Sequence, residues 1–401
     1  MIRFFNRNLV LWGIAAVCVI ATSISYYALP KIAKKILSAL DNRRAQIERE
    51  IFLNRYEFLV NIRKLKQSPF YNYIQEQDVG FDIFKEVRSF NKESLQNLRG
   101  SIIRAIFGNE LPKAKPTMHC TASTDTMSAR TCEMNFTTSV SQYTYNSVGL
   151  YQIQPNANCL FLYHAGHDEG FEKPMKDAEK LWQKMGEKGC DIIKLSMPLT
   201  GDNKSQPLMK NSKPIYGNGH ATFSQDDLDP VRAFSFFLSP THQALNAALD
   251  LRKYAQVIMA GRSGGGWTTV IAAAIDPRIS QSYSIAGTVP GHFRLTRKTD
   301  RGDWEQWDHP FWTNITSYSE LYLLAVLEPN RRSTHLYKKY DICCFQGLRM
   351  HAFFPTFIAE AQRRKFGALR YYVDDEEKYS HEVSTSIINT ISQHANLENH
   401  Q

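Results

Sequence analysis

Gln256-Val-Ile-Met-Ala-Gly261-Arg-Ser263-Gly-Gly-Gly266-Trp267 is an apolar run that breaks abruptly into a serine set among glycines. The small-residue stretch from Thr268 to Ala274 follows at once and reads as a buried helix. Gly261-Arg-Ser263-Gly-Gly265 fits the pattern G-x-S-x-G, and its flanks are the strand and helix which that pattern requires. The requirement is steric. A serine on a sharp strand-to-helix turn occupies strained backbone space, so its neighbours must be tiny for strand and helix to approach. The first N–H groups of the helix then face any negative charge that develops beside the serine. A glycine-rich turn that merely links a strand to a helix is the competing account of the same pentapeptide.

Outward from this turn the chain alternates. Upstream lie two ribbon strands, Cys132 to Val140 and Tyr143 to Gln154, then the apolar run Cys159 to His167 (CLFLYHAGH) ending in a His/Gly loop. A helical pattern at Met175, Ala178, Leu181, Trp182 and Met185 precedes the strand Asp191 to Met197. A helix from about His242 to Tyr254 leads into the serine strand. Downstream come the strand 282–287, the helix Tyr318 to Leu327, the strand Ser333 to Tyr340, the helix Ala352 to Arg363 and a last strand, 368–373. Strands alternating with helices predict a mostly parallel sheet flanked by helices on both faces, with ligands at the carboxyl ends of the strands.

A nucleophilic serine needs a base, and the base an orienting acid. His381 stands in the loop after the last strand, at the start of a terminal helix, and Asp341 stands at the carboxyl end of the penultimate strand. Asp374 and Asp375 share the loop of His381 and read as solvated or capping; Glu328 is another carboxylate to weigh. The expected oxyanion donors are the N–H of Gly264 and one from Ala165 or Gly166. His164, His167, Arg262, Trp267, Trp304 and Trp307 are the candidate substrate contacts. His164, His167 and Asp168 also suggest a metal, but no third well-spaced ligand is near, so neither metal nor cofactor is expected.

The strand–HAGH–helix unit, GRSGGGW, the position of Asp341 and the late His381 together resemble the α/β-hydrolase superfamily. The similarity spans about residues 130–395. It implies acyl transfer to water through an acyl-serine intermediate, without a cofactor, with Ser263, His381 and Asp341 as nucleophile, base and acid. A carboxylic ester of a glycan or lipid is the expected substrate; a serine peptidase of the same fold and a non-catalytic anchored scaffold are the alternatives. A cap-like insertion falls at about 288–317. Its Trp304, Trp307, Phe311 and Trp312, with Arg294, Arg297, Lys298 and Arg301, form either an aromatic, basic wall over Ser263 or simply the core of the insertion. The polar loop Gly201 to Phe223, with His220, supplies a second rim.

Charge divides the chain. Its net +9 lies within residues 1–115, which hold 19 Lys/Arg against 10 Asp/Glu, while residues 116–401 hold 29 of each. A balanced body excludes the nucleic-acid reading that the total invites. Leu9 to Leu29 is 21 residues without a charge, long enough to cross a bilayer, and six Lys/Arg follow between positions 31 and 49. The expected order is therefore a membrane anchor (1–30), a basic helical juxtamembrane region (31–115) that meets anionic headgroups or pairs with a partner protein, and the hydrolase domain (116–401). A cleaved signal peptide is the other account of the first segment. The charge distribution alone favours a cytosolic body. Cys120 and Cys132, read as a loop-closing disulfide, and sequons at Asn135, Asn203 and Asn314 place it on the other side. Cys159 and Cys190 read as buried thiols, and Cys343-Cys344 as packing beside the acid or a vicinal disulfide.

Overall fold

The computed structural model describes residues 82–121 and 129–395, apart from 168, 173, 218, 297–301, 308, 340, 342–343, 346 and 375–380. The stretch Leu9 to Leu29 lies outside the described residues, and among those described no helix is long and apolar enough to cross a membrane. One sheet organises the body. Its strands are β1 (Thr117–Cys120), β2 (Arg130–Val140), β3 (Tyr143–Ile153), β4 (Cys159–His164), β5 (Cys190–Leu195), β6 (Leu208–Lys210), β7 (Lys213–Ile215), β8 (Gln256–Arg262), β9 (Gln281–Ile285), β10 (Arg332–Lys338) and β11 (Ala368–Asp374). The order across the sheet is β1-β2-β3-β5-β4-β8-β9-β10-β11, with β6 and β7 forming a short ribbon on β3. From β5 to β11 every pairing is parallel; β1, β2 and β3 are antiparallel.

Strands β4, β5, β8 and β9 are buried almost throughout, as parallel strands covered on both faces must be. Their alternation sorts the two cores: Leu160 and Leu162 face one, Phe161 and Tyr163 the other. Helices α1 (Lys92–Phe107), α3 (Ser235–Leu251), α4 (Gly264–Ile275), α5 (Tyr318–Leu324) and α6 (Met350–Arg363) cover the first face. Helices α2 (Lys176–Glu187) and α7 (Thr385–His394) cover the second. All twelve residues of α4 are buried, because Gly and Ala side chains let it lie close to β8 and β9.

Two expectations change here. Helix α3 begins seven residues before His242 and carries Pro240 within it. The helix α1, from the basic N-terminal quarter, is also part of this body: it turns Leu95, Arg99, Ile102 and Ile106 inward. The Arg99 guanidinium, buried, donates to the carbonyls of Ala274 and Leu324 and to Glu328. The apolar stripe of α1 is thus spent on its own domain rather than offered to a partner protein.

The cysteines give one expected and one corrected pairing. Cys120 and Cys132, opposite each other on β1 and β2, form a disulfide. Cys159 and Cys190 are not thiols: they sit in register on neighbouring β4 and β5 and are bonded to each other. Position 343 is not described, and Cys344 is buried. Asn203 is fully buried and uses its side chain on Val148 N–H and the carbonyls of Ser196 and Met197, so that sequon is a structural asparagine.

Candidate active site

Ser263 sits between the end of β8 and the first residue of α4 with φ 55° and ψ −123°. A left-handed backbone on a residue with a side chain costs about 1–3 kcal/mol, so the surroundings must impose it. They do so by contact. A Cβ at Gly261 would lie 2.3 Å from the carbonyl oxygen of Gly265, and one at Gly265 would lie 2.0 Å from that of His164. Strand β8, helix α4 and the end of β4 are therefore backbone against backbone.

Register brings the other loops to the same edge. His164 of β4 is level with Gly261, and Lys338 of β10 with Asp374 of β11. The loops that follow these strands carry Ala165 to Glu169, Asp341 and His381. Both carboxylate oxygens of Asp341 accept from His381 Nδ1, at 2.9 and 2.7 Å. Asp341 is buried and His381 only slightly exposed. The N–H of Cys344 also donates to Asp341. Of the other carboxylates weighed, Glu328 is bound to Arg99 and Arg331, and Asp374 is not solvated as expected but buried at the end of β11.

The residue that ties these loops together was not foreseen from sequence. Glu169, fully buried, accepts from Arg262 (3.1 Å), from the Tyr163 hydroxyl and, at 3.4 Å, from the N–H of Gly166. Arg262 in turn donates to the main-chain oxygen of His381 at 2.8 Å. One ion pair thus spans the loop after β4, the serine turn and the histidine loop. Burial lifts the Glu169 carboxyl above its ordinary value even with Arg262 alongside. Arg262 is consequently not a substrate contact: its guanidinium is buried and fully committed.

Other candidates move as well. The N–H of Ala165 extends the ladder to Leu195 and that of Gly166 turns to Glu169, so neither expected loop amide is uncommitted for an oxyanion. Gly264 keeps its place as the first residue of α4, where an N–H has no partner within its own helix. His164 is buried against its own neighbour's carbonyl, and burial pushes it down to about 4. Trp267 is fully buried among Phe234, Phe237 and Trp312.

The aromatic residues of the insertion form its core. Trp312 stacks on Tyr318 and meets Phe311 edge-on, Trp304 packs against His309, and Arg294 is buried over Tyr318. Trp307 lines a cavity of about 560 Å³ together with Arg88, Trp312 and Glu320; Ser263, Asp341 and His381 are not among its walls.

His167 does reach the serine turn: its ring lies where a Cβ at Gly264 would be, within 2.5 Å. Around it stand His220, Asp303 and Glu305, with ligand atoms all within 4.8 Å of one another. No third well-spaced ligand follows His164 and His167 along the chain; folding brings His220, Asp303 and Glu305 to His167 from distant segments.

No protein-family model matches the chain, and no curated protein matches its sequence. Among solved structures, acetyl xylan esterase 1 from Thermoanaerobacterium sp. JW/SL YS485 aligns at 15% identity with a TM-score of 0.48, covering 75% of this chain and 92% of that one. S-formylglutathione hydrolase from Agrobacterium tumefaciens aligns at 15% identity with a TM-score of 0.44, covering 69% and 98%. A glucuronoyl esterase from Solibacter usitatus aligns at 10% identity with a TM-score of 0.48, covering 76% and 91%. Likeness at these levels carries no assignment of activity. The topology speaks for itself. A parallel sheet whose turn after β8 holds a serine, with Asp341 after β10 and His381 after β11, is the arrangement that the resemblance to the α/β-hydrolase superfamily led us to expect.

Proposed function

We propose that this chain is a serine hydrolase that cleaves carboxylic esters through an acyl-serine intermediate. The observation that carries the proposal is the left-handed Ser263 between β8 and α4, a strained turn that a mere linker has no need to maintain. The His381–Asp341 pair supports it. With Nδ1–H directed at Asp341, the Nε2 of His381 is the basic nitrogen. It takes the Ser263 hydroxyl proton as Oγ bonds to the ester carbonyl carbon, then returns that proton to the alcohol oxygen as the C–O bond breaks. Water repeats the sequence on the acyl-serine and frees the acid. The Gly264 N–H at the start of α4 stabilises the oxyanion in both halves.

The membrane reading belongs to the same proposal. Leu9 to Leu29 anchors the protein, and the two disulfides support a body on the non-cytoplasmic side, where such bonds persist.

Fluorophosphonate labelling of the full chain tests the chemistry. One adduct on Ser263, absent in Ser263→Ala and weakened in His381→Ala, is expected. Folded protein that takes no label and turns over no p-nitrophenyl acyl ester overturns the proposal. Cleavage of aminoacyl amides in preference to esters would make it a peptidase. A topology reporter fused to the C-terminus decides the side of the membrane.

A further inference from the structure

We infer that His167, His220, Asp303 and Glu305 bind one divalent metal ion of the zinc class, which clamps the insertion onto the loop beside Ser263. The four side chains come from three places: the loop after β4, the turn His220–Phe223, and the turn Trp304–Gln306 with its preceding Asp303. Their contacts are His167 Nε2 to Asp303 at 2.6 Å, His220 Nδ1 to Glu305 Oε1 at 3.0 Å, His167 Nε2 to His220 Nδ1 at 3.4 Å, and His167 Nε2 to Glu305 at 3.9 Å. An ion with tetrahedral N and O ligands at roughly 2.0–2.2 Å sets those ligands about 3.4 Å apart. The contacts, from 2.6 to 3.9 Å, lie on both sides of that edge.

Chemistry argues the same way. The Nε2 of His220 lies 3.0 Å from the carbonyl of Pro198 and donates to it, and Phe237 packs edge-on against the ring. In the neutral ring that leaves Nδ1 with a lone pair towards Glu305 Oε1, which also offers only lone pairs. Two such acceptors at 3.0 Å repel unless a positive charge, a metal ion or a proton, lies between them. A backbone carbonyl holding the far nitrogen of an imidazole is also the usual support of a metal-bound histidine. Glu305 supplies an independent sign. Its side chain is completely buried, and its Oε2 is buried with no hydrogen-bond partner. A carboxylate in that state is costly, and a metal ion offsets it. Two imidazoles with two carboxylates make a neutral site around a divalent ion, and nitrogen ligands select zinc over calcium or magnesium. Four protein ligands leave no open position, so the ion's work is to hold loops in place.

The inference does not depend on Ser263 acting as a nucleophile, and the experiment keeps the two apart. Zinc content is measured on the full chain purified without added metal. The chelated protein is then titrated with Zn²⁺ and with Co²⁺, whose absorption bands report tetrahedral N/O ligation. One ion per chain is expected, with a melting temperature that falls on chelation. His220→Ala and Asp303→Asn should weaken Zn²⁺ binding by more than the ten- to hundredfold typical of losing an outer-shell partner. Ser263→Ala should bind like the parent. Asp303 is partly exposed, so Asp303→Asn tests the site without emptying a buried position. No saturable Zn²⁺ or Co²⁺ binding by folded parent protein, or equal binding by Asp303→Asn and His220→Ala, overturns the inference. His220 is then an imidazolium paired with Glu305.

Discussion

Replacing Arg262 by methionine separates two accounts of that residue. On the structural account, the change leaves Glu169 buried without its cation. Tyr163 and the Gly166 amide still donate to it, yet an uncompensated carboxylate in that position takes up a proton. The cost at pH 7 is then set by holding neutral a carboxyl whose ordinary pKa is 4.5. Two and a half pH units at 1.36 kcal/mol each give about 3.4 kcal/mol. The sign follows from proton counting. The folded variant binds the proton more tightly than the unfolded chain, so its stability deficit grows as pH rises and shrinks as pH falls. At pH 5 the same arithmetic leaves about 0.7 kcal/mol. Urea unfolding of the parent, Arg262→Met, Glu169→Gln and the double variant, at both pH values, measures this directly. The double variant should recover most of the loss at pH 7, and kcat should fall with little change in KM because the His381 carbonyl loses its anchor. If Arg262→Met is as stable as the parent at pH 7 but raises KM for anionic esters, Arg262 contacts substrate and the reasoning fails.

Asp341→Asn should lower kcat by a factor on the order of 10⁴, by presenting the wrong tautomer of His381, while Asp374→Asn leaves turnover within about threefold. Steady-state hydrolysis of a p-nitrophenyl ester reads both. His335 is fully buried among Tyr322, Phe354 and Tyr337, which pushes it down to about 3. The unfolded chain therefore binds one more proton there between pH 6.5 and about 3, and stability falls as the medium is acidified. His335→Leu should reduce the slope of stability against pH in that window by about 1.4 kcal/mol per unit, measured by urea unfolding at stepped pH. Removing the Cys159–Cys190 bond with Cys→Ala at both positions should cost about 3–4 kcal/mol, as expected for a loop of 31 residues, visible as a reductant-insensitive drop in melting temperature.

What could be read from the chain, and what could not, divides by distance. The strands around Ser263 announced themselves because parallel strands buried on both faces are continuous apolar runs, and Cys159 to His164 and Gln256 to Gly261 are such runs. Chain order then narrowed the acid and base to loops after counted strands, and those loops hold Asp341 and His381 in hydrogen-bond contact. Helix α3 starts ahead of the expected His242 and runs through Pro240, a residue type that ordinarily bounds a helix. Arg262 and Trp267 were misread for a different reason: adjacency to Ser263 in sequence says nothing about which face of a strand or helix a side chain takes. Glu169 and Glu305 left no local signal, and His220 was legible only as part of a polar rim. A lone carboxylate in a loop acquires meaning only when another segment's arginine or histidine is folded against it, and the separations involved exceed any sequence window.

The way the segment before β1 is seated bears on how the protein would have to be produced. Glu86 receives the amides of Gly291 and His292 and the hydroxyl of Ser319, Arg88 forks onto Glu320, and Arg99 fills the gap between α4 and α5. A shortened version trimmed near residue 116, where the charge balance changes, would leave the partners of these side chains and the apolar faces beneath α1 bare to water. Trimmed just ahead of Asp82 instead, it keeps them covered. The useful cutting point for expression is set by Glu86 and its contacts, well upstream of the first strand.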